Sequence, residues 1–308
     1  MHPRSSEHRS ETTPVAVPPI GRLYDVGGRR LLLHHSGTGG PAVVIAPGAG
    51  AIGLDYLNVH DQASAFTTSV LYDRAGTGWS HRVDLPRTAA EVVDELRDLL
   101  RAADVPAPYL LVGHSLGGLY VRHYAQRFPD EVAGLLLLDP AHEDFSAYMP
   151  KQLLDMQEHA TKDLELLEPD EELLQLYRGL FAQMFARLPE PVREVLIDYH
   201  IGSWRTGVWE AKNVDEIYDE VRHGGDIPDV PLIVLTAMGL DRLQAMPIPE
   251  QLLREMNDGK RRLYEAVTKS VPRGEQRVLL DAGHTTIHTD RPDAVLQAIR
   301  DLLDRARG

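Results

Sequence analysis

A serine held between glycines is the first feature of this chain that suggests chemistry. Gly113-His114-Ser115-Leu116-Gly117 lies within YLLVGHSLGGLYVRHYAQR, residues 109–127. The apolar run 109–112 reads as a buried strand, and Leu116, Leu119, Tyr120 and His123 then recur at helical spacing. Ser115 therefore falls where a strand turns sharply into a helix, a turn that small residues two before and two after it permit. The helix that follows points free N–H groups and the positive end of its dipole at the hydroxyl. A serine so placed can be a nucleophile, given an imidazole to take its proton and a carboxylate to orient that imidazole.

The elements needed to hold such a site are legible along the chain. Runs at 22–26 and 30–35 around Gly27-Gly28 suit an opening antiparallel hairpin. AVVIA at 42–46 is continuously apolar, as a central parallel strand covered on both faces requires, and it leads into the loop Pro47-Gly48-Ala49-Gly50. A strand at 69–72 ends in DRAGTGWS, where Asp73 and Arg74 are placed to brace the loop beneath the site. Residues 88–103 form a helix with one apolar stripe, and Thr88 with Glu91 makes a capping box. Further strands are expected at 132–138, 231–236 and 277–280, with a final helix over 292–305. Buried strands alternating with amphipathic helices predict an α/β fold with a mostly parallel sheet flanked by helices.

Residues 142–229 break this alternation. They show helical stripes, among them Leu153, Met156, Ala160, Leu164, Leu167 and Leu174, Tyr177, Phe181, Met184, Phe185, Leu188, but no strand pattern. An all-helical cap inserted at 142–229 into a core of residues 20–141 and 230–308 accounts for this. The insertion holds 20 Asp and Glu against 8 Lys and Arg. Phe181, Phe185, Trp204 and Trp209 read mainly as its core, with one or two facing the cleft.

Bulk properties exclude several classes. The 308 residues, 43% hydrophobic and 25% charged, are those of an ordinary globular chain. A net charge of −14 argues against a nucleic-acid surface. With no cysteine, thiolate metal sites and disulfides are excluded and a cytoplasmic location is the default expectation. Residues 1–19 lack the apolar core of a secretory signal and read as a flexible lead-in, and no stretch is long enough to span a bilayer. No cofactor is expected: the glycine loop has no phosphate-loop lysine and completes no dinucleotide fingerprint. His284 and His288, four apart, do not share a helix on which a metal could sit, because Asp290-Arg291-Pro292 starts the helix after them.

Four stretches together carry a family resemblance: the GHSLGG turn, the glycine loop after AVVIA, YDRAGTGWS, and AGHTTIHTDRPDAV near the C-terminus. From about residue 20 onward the chain resembles the α/β-hydrolase fold superfamily, in particular its esterase-like serine hydrolases with a helical cap. The resemblance implies Ser115 as nucleophile, His284 as base and an acid between them in sequence. Asp241, shortly after the 231–236 strand, is the expected acid, with Asp139 at the end of the strand before the cap as the alternative. It also implies an oxyanion hole of the Leu116 and Ala49 N–H groups, although Pro47-Gly48 stands where many relatives have His-Gly. The implied activity is cleavage of small-molecule carboxylic esters, neutral rather than anionic, through an acyl-enzyme. Prolyl-aminopeptidase-like, lactonase and carbon-carbon bond hydrolase activities use the same triad, and a non-catalytic ligand-binding protein on this fold is the alternative of another class.

Overall fold

The computed structural model describes residues 17–157, 169–243 and 248–307. Eight strands form one sheet in the order β1-β2-β4-β3-β5-β6-β7-β8. These are β1 Arg22–Val26, β2 Arg29–Ser36, β3 Ala42–Ala46, β4 Ser69–Tyr72, β5 Tyr109–His114, β6 Val132–Leu138, β7 Leu232–Ala237 and β8 Gly274–Leu279. β1 and β2 run antiparallel to each other and β2 to β4, and all other neighbours are parallel.

Side-chain alternation explains why the central strands are apolar throughout. Val44, Leu111, Leu135, Leu137 and Val234 face the core shared with the helices Ala89–Ala102, Leu116–Arg127 and Glu250–Lys269. Their neighbours Val43, Ile45, Leu110, Val112, Leu136 and Leu138 face the opposite core, shared with Leu57–Ala63 and Pro292–Arg307. With both faces covered, no position on these strands is left for a solvated polar residue. Each fully buried aliphatic side chain contributes about 1.5–3 kcal/mol relative to exposure.

The expected α/β class and parallel sheet are thus what the chain folds into. The helix Ala89–Ala102 begins at Thr88, whose side chain accepts from Glu91 N–H while Glu91 accepts from Thr88 N–H. Three elements differ from expectation, one of them the helix Leu57–Ala63, for which no helix was anticipated. β8 starts at Gly274 rather than 277, because its first residues, Gly-Glu-Gln-Arg, belong to a partly exposed sheet edge and carry no apolar pattern. The 20-residue helix Glu250–Lys269 was not anticipated, though Leu253, Met256, Leu263, Tyr264 and Val267 form its buried stripe.

Between β6 and β7 the described residues contain helices and no strand, including Glu171–Met184, Glu190–Gly202, Trp204–Glu210 and Val214–His223. Ala160, Leu164 and Leu167 of the first expected stripe lie outside the described residues, as do residues 1–16 of the expected lead-in. No helix among the described residues is long and apolar enough to cross a membrane.

Strand β3 and the helix after Ser115 meet at Gly117, where an added Cβ would stand 2.2 Å from the Ala46 carbonyl oxygen and 2.6 Å from that of Pro47. Both are backbone atoms that cannot rotate away. Gly117→Ala is expected to lower stability by about 1–3 kcal/mol, measured by chemical denaturation, through enforced separation of the helix from the 47–50 loop.

Candidate active site

Ser115 stands at the C-terminal end of β5 with φ 50° and ψ −121°, a conformation that costs an L-residue about 1–3 kcal/mol. Its backbone is tied on both sides: Ser115 N–H donates to Leu138 O, and Ser115 O accepts from Gly118 and Ala141 N–H. The elbow is therefore fastened to the end of β6, where Asp139 also has a positive φ of 42°.

His284, in the loop after β8, joins the two. Its Nε2 is 3.1 Å from Ser115 Oγ and its Nδ1 is 2.7 Å from Asp139 Oδ2. With Asp139 ionised, Nδ1–H donates to the carboxylate and Nε2 is left to accept the serine proton. The carboxylate is fully buried and has two further partners, Ala237 N–H on Oδ1 at 3.0 Å and the Lys260 ammonium on Oδ2 at 2.6 Å. Burial alone would push its carboxyl up, but Lys260, followed by His284, outweighs that and holds it well below the usual carboxylate range.

The expected acid, Asp241, does not reach the imidazole. Its Oδ2 accepts from Thr285 N–H and its Oδ1 from Leu243 N–H, so it braces the histidine loop through the backbone. The carboxylate on His284 Nδ1 is that of Asp139, the alternative. Lys260 was missed entirely. It lies on the apolar stripe of Glu250–Lys269, between Met256 and Leu263, where a cation needs an explanation.

The Pro47–Gly50 loop forms the opposite wall. Arg74, buried beneath it, donates from Nη1 to Pro47 O at 2.7 Å and from Nη2 to Gly48 O at 2.8 Å. Its Nε and Nη2 also meet Glu210 Oε1 and Oε2 at 2.8 and 2.9 Å. Burial alone would lower the guanidinium's pKa, but Glu210 outweighs this and keeps it charged. Gly48 N–H reaches Tyr56 OH, Gly50 N–H reaches Glu210 Oε2 at 2.7 Å, and Ala51 N–H turns back to Gly48 O. Proline having no N–H, Ala49 is left as the one residue of the loop whose N–H has no hydrogen-bond partner among the described residues. Leu116, whose N–H lies in the first turn of the helix, follows Ser115 directly. Asp73 accepts from Gly53 and Trp79 N–H, bracing the neighbouring loop as anticipated, and burial raises its carboxyl to about 6.

A second relay joins the two walls. His114 Nε2 is 2.9 Å from the His284 carbonyl oxygen, which can only accept, so Nε2 carries a proton. Burial keeps His114 neutral, its pKa held well below the ordinary value, and Nδ1 is therefore an acceptor. Tyr56 OH, 2.6 Å away, donates to it while accepting from Gly48 N–H. The sequence signal was weak here: no motif surrounds Tyr56, which closes a short 3-10 turn before the helix Leu57–Ala63, and His114 reads simply as part of the serine motif.

These residues open into a cavity of about 360 Å³. Leu174, Tyr177, Phe181, Met184, Trp204 and Val208, from the helices between β6 and β7, line one side of it, and Ser115, His284 and the 48–51 loop line the other. Phe185 is buried core, whereas Trp209 is exposed at the surface. Asp55 lines the cavity with His200, whose Nε2 is 2.8 Å from Asp55 Oδ1. Among the described residues there is no cluster of His, Asp or Glu arranged to hold a metal ion.

Sheet order, strained serine turn and histidine loop together define an α/β hydrolase. Residues 43–298 match the model of the alpha/beta hydrolase family, and the chain belongs to that family. Among curated proteins it is 36% identical over 119 residues to the uncharacterised protein YqjL of Bacillus subtilis, covering 37% of this chain and 46% of that one. It is 35% identical over 104 residues to the human (Lyso)-N-acylphosphatidylethanolamine lipase, covering 32% and 30%. These matches thus span less than half the length of either relative. Among solved structures it is similar to an esterase from Exiguobacterium antarcticum, with a TM-score of 0.65 at 14% identity over 92% of this chain and 100% of that one. An enol-lactonase from Burkholderia xenovorans LB400 gives 0.62 at 18% identity over 92% and 99%. At such identities the likeness is one of fold.

Buried histidines give the molecule a pH signature. Burial lowers His60, His142 and His288 each to about 4. The unfolded chain binds protons at these positions below its ordinary value of about 6.5, and the folded chain does not, so stability falls as pH drops from 6.5 towards 4. Asp73, raised to about 6, opposes with one proton. With His114, which burial also holds well below its ordinary value, the net is about three protons, which predicts a loss of about 4 kcal/mol per pH unit at the steepest point. Neither ring nitrogen of His288 makes a hydrogen bond of good geometry, although the Asp55 backbone lies close enough to favour its charged form slightly. His288→Phe is therefore expected to reduce this slope by about a third while leaving stability at pH 7 unchanged or higher, as urea titrations at pH 7 and 5 would show.

Proposed function

We propose that this protein is a serine hydrolase that cleaves carboxylic esters of small, neutral molecules through an acyl-enzyme, with Ser115, His284 and Asp139 as its triad. The observation that carries this reading is the unbroken chain Ser115 Oγ, His284 Nε2 and Nδ1, Asp139 Oδ2, at 3.1 and 2.7 Å.

In this reaction Ser115 Oγ attacks the ester carbonyl as its proton passes to His284 Nε2. The imidazolium keeps its Nδ1–H on Asp139, which Lys260 and Ala237 N–H hold ionised. Charge developing on the carbonyl oxygen is met by the N–H groups of Ala49 and Leu116. As the tetrahedral intermediate collapses, the alkoxide leaves with the proton from His284. Water then attacks the acyl-serine by the same sequence and releases the acid. The unsatisfied Ala49 N–H supports the oxyanion assignment, because every other N–H of its loop is already engaged.

The helical insertion acts as a cap in this reading. Its apolar cavity wall suits an uncharged acyl or alcohol group. Glu171, Glu172, Asp198, Asp215, Glu216 and Asp219 of the insertion are exposed to solvent. Screening beyond about 8–10 Å leaves such outward charges little hold on a bound substrate.

Ser115→Ala is expected to lower kcat/KM for p-nitrophenyl butyrate by about 10⁴-fold or more and to abolish fluorophosphonate labelling. Asp139→Asn should lower kcat by about 10³–10⁴-fold, since an amide oxygen does not stabilise the imidazolium, whereas Asp241→Asn should cost no more than about tenfold. Steady-state kinetics of the three variants check both assignments. An Asp241→Asn defect as large as that of Asp139→Asn would return the acid role to Asp241.

A further inference from the structure

We infer that Glu210, a residue of the helical insertion, is a positioning residue for the oxyanion donor Ala49, so that the insertion forms part of the catalytic apparatus as well as the pocket wall. The inference rests on the reading of Ser115 as nucleophile and Ala49 N–H as oxyanion donor.

Glu210 ends the helix Trp204–Glu210, and its side chain is 4% exposed. Both carboxylate oxygens point toward the core. Oε1 accepts from Arg74 Nε, while Oε2 accepts from Arg74 Nη2 and from Gly50 N–H. The same guanidinium spends Nη1 and Nη2 on Pro47 O and Gly48 O. Glu210 thus holds the loop on the C-terminal side of Ala49 directly and on the N-terminal side through Arg74. Ala49 lies between two clamped peptides, with its own N–H left unspent.

Backbone packing makes the arrangement tight. Gly50 adopts φ +72°, and a Cβ there would stand 3.0 Å from Gly207 Cα, one turn before Glu210 in the same helix. The insertion's backbone therefore rests on the loop, and its terminal carboxylate reaches past that contact to the Arg74 fork. Moving this helix away would strip Gly50 N–H of its acceptor and leave a buried guanidinium without its counter-ion. An oxyanion donor must sit within tenths of an ångström of its place, and a displacement of about 1 Å can cost 10²-fold in rate.

The test replaces the buried pair by apolar side chains of similar length, because removing one partner alone leaves an uncompensated charge whereas replacing both is often neutral for stability. Arg74→Met with Glu210→Met should still fold cooperatively, with a thermal midpoint lowered by the unpaired Pro47 O, Gly48 O and Gly50 N–H rather than by a stranded charge. On p-nitrophenyl butyrate, KM should stay within about threefold while kcat falls by about 10²-fold. Affinity for a trifluoromethyl ketone, which forms a tetrahedral oxyanion on Ser115, should fall by the same factor, and affinity for the matching methyl ketone should not. Arg74→Met with Glu210→Gln, uncharged but able to accept from Gly50 N–H, should recover about tenfold of the lost kcat.

Wild-type kcat in the folded double-methionine variant would overturn the inference, as would a defect in KM alone, an equal loss for both ketones, or the absence of recovery by glutamine. Ester turnover by the wild type that is lost in Ser115→Ala shows the underlying reading to be sound, and any of those results then counts against Glu210 alone. Undiminished turnover in Ser115→Ala would instead remove the reading on which the inference stands.

Discussion

A carboxylate sealed in the interior is the interaction on which the rest of this molecule depends. Asp139 is wholly inaccessible to solvent and sits in a left-handed conformation that an L-residue adopts only at a cost. Left unpaired, such a charge would be far too expensive to keep. Its partners come from three separate parts of the chain: Ala237 at the end of β7, Lys260 in the long helix that follows, and His284 in the loop after β8. One buried charge therefore fixes the positions of three connections. The residue before it, Leu138, in turn accepts the N–H of Ser115 and locks the elbow to the same point.

How much of this the sequence disclosed depended on whether the information was local. Ser115 is readable because its turn needs glycines within two residues, and His284 because its loop carries a compact motif. The acid could not be chosen that way. Asp139 and Asp241 both follow parallel strands that are neighbours in the sheet, and both approach the histidine loop. What separates them is direction: Asp241 turns to the backbone of Thr285, and Asp139 turns beneath the ring. Nothing within several residues of either aspartate records that difference. Lys260 was legible in principle, as a cation on an apolar helical stripe, but its partner lies 121 residues away. The same holds for the 136-residue separation between Arg74 and Glu210, where sequence indicated only that Arg74 should brace a loop.

Two hydrogen-bonded braces of opposite character hold the walls of the cavity. On the histidine side the bracing is neutral, a directed chain from Gly48 through Tyr56 and His114 to the carbonyl of His284. On the side of the helices between β6 and β7 it is ionic, the Arg74 guanidinium meeting the Glu210 carboxylate in the interior. A buried ion pair is poor evidence of stability, since apolar replacements often do as well. Its use here is better sought in geometry: a planar guanidinium can hold two successive carbonyls and a carboxylate in fixed relation, which an apolar contact cannot.

Sheet topology explains why all of these groups meet at all. In a parallel sheet every strand ends on the same side, so the residues after β3, β4, β5, β6, β7 and β8 must gather along one edge. Those residues are, in turn, the Pro47 loop, Arg74, Ser115, Asp139, Asp241 and His284. The sheet interior is almost wholly apolar, Ser69 and Thr236 being small polar exceptions among the described residues, so most of the polarity near the sheet is gathered at that rim. A rim crowded with carboxylates and cations would remain an open, wet surface if the sheet were left bare. The helices between β6 and β7 cover it with apolar side chains and contribute one carboxylate, Glu210, to the network beneath. Beneath those helices the 47–50 loop is held from both ends, by Arg74 on the Pro47 and Gly48 carbonyls and by Glu210 on the Gly50 N–H, so its shape depends on groups that the sheet alone could not supply.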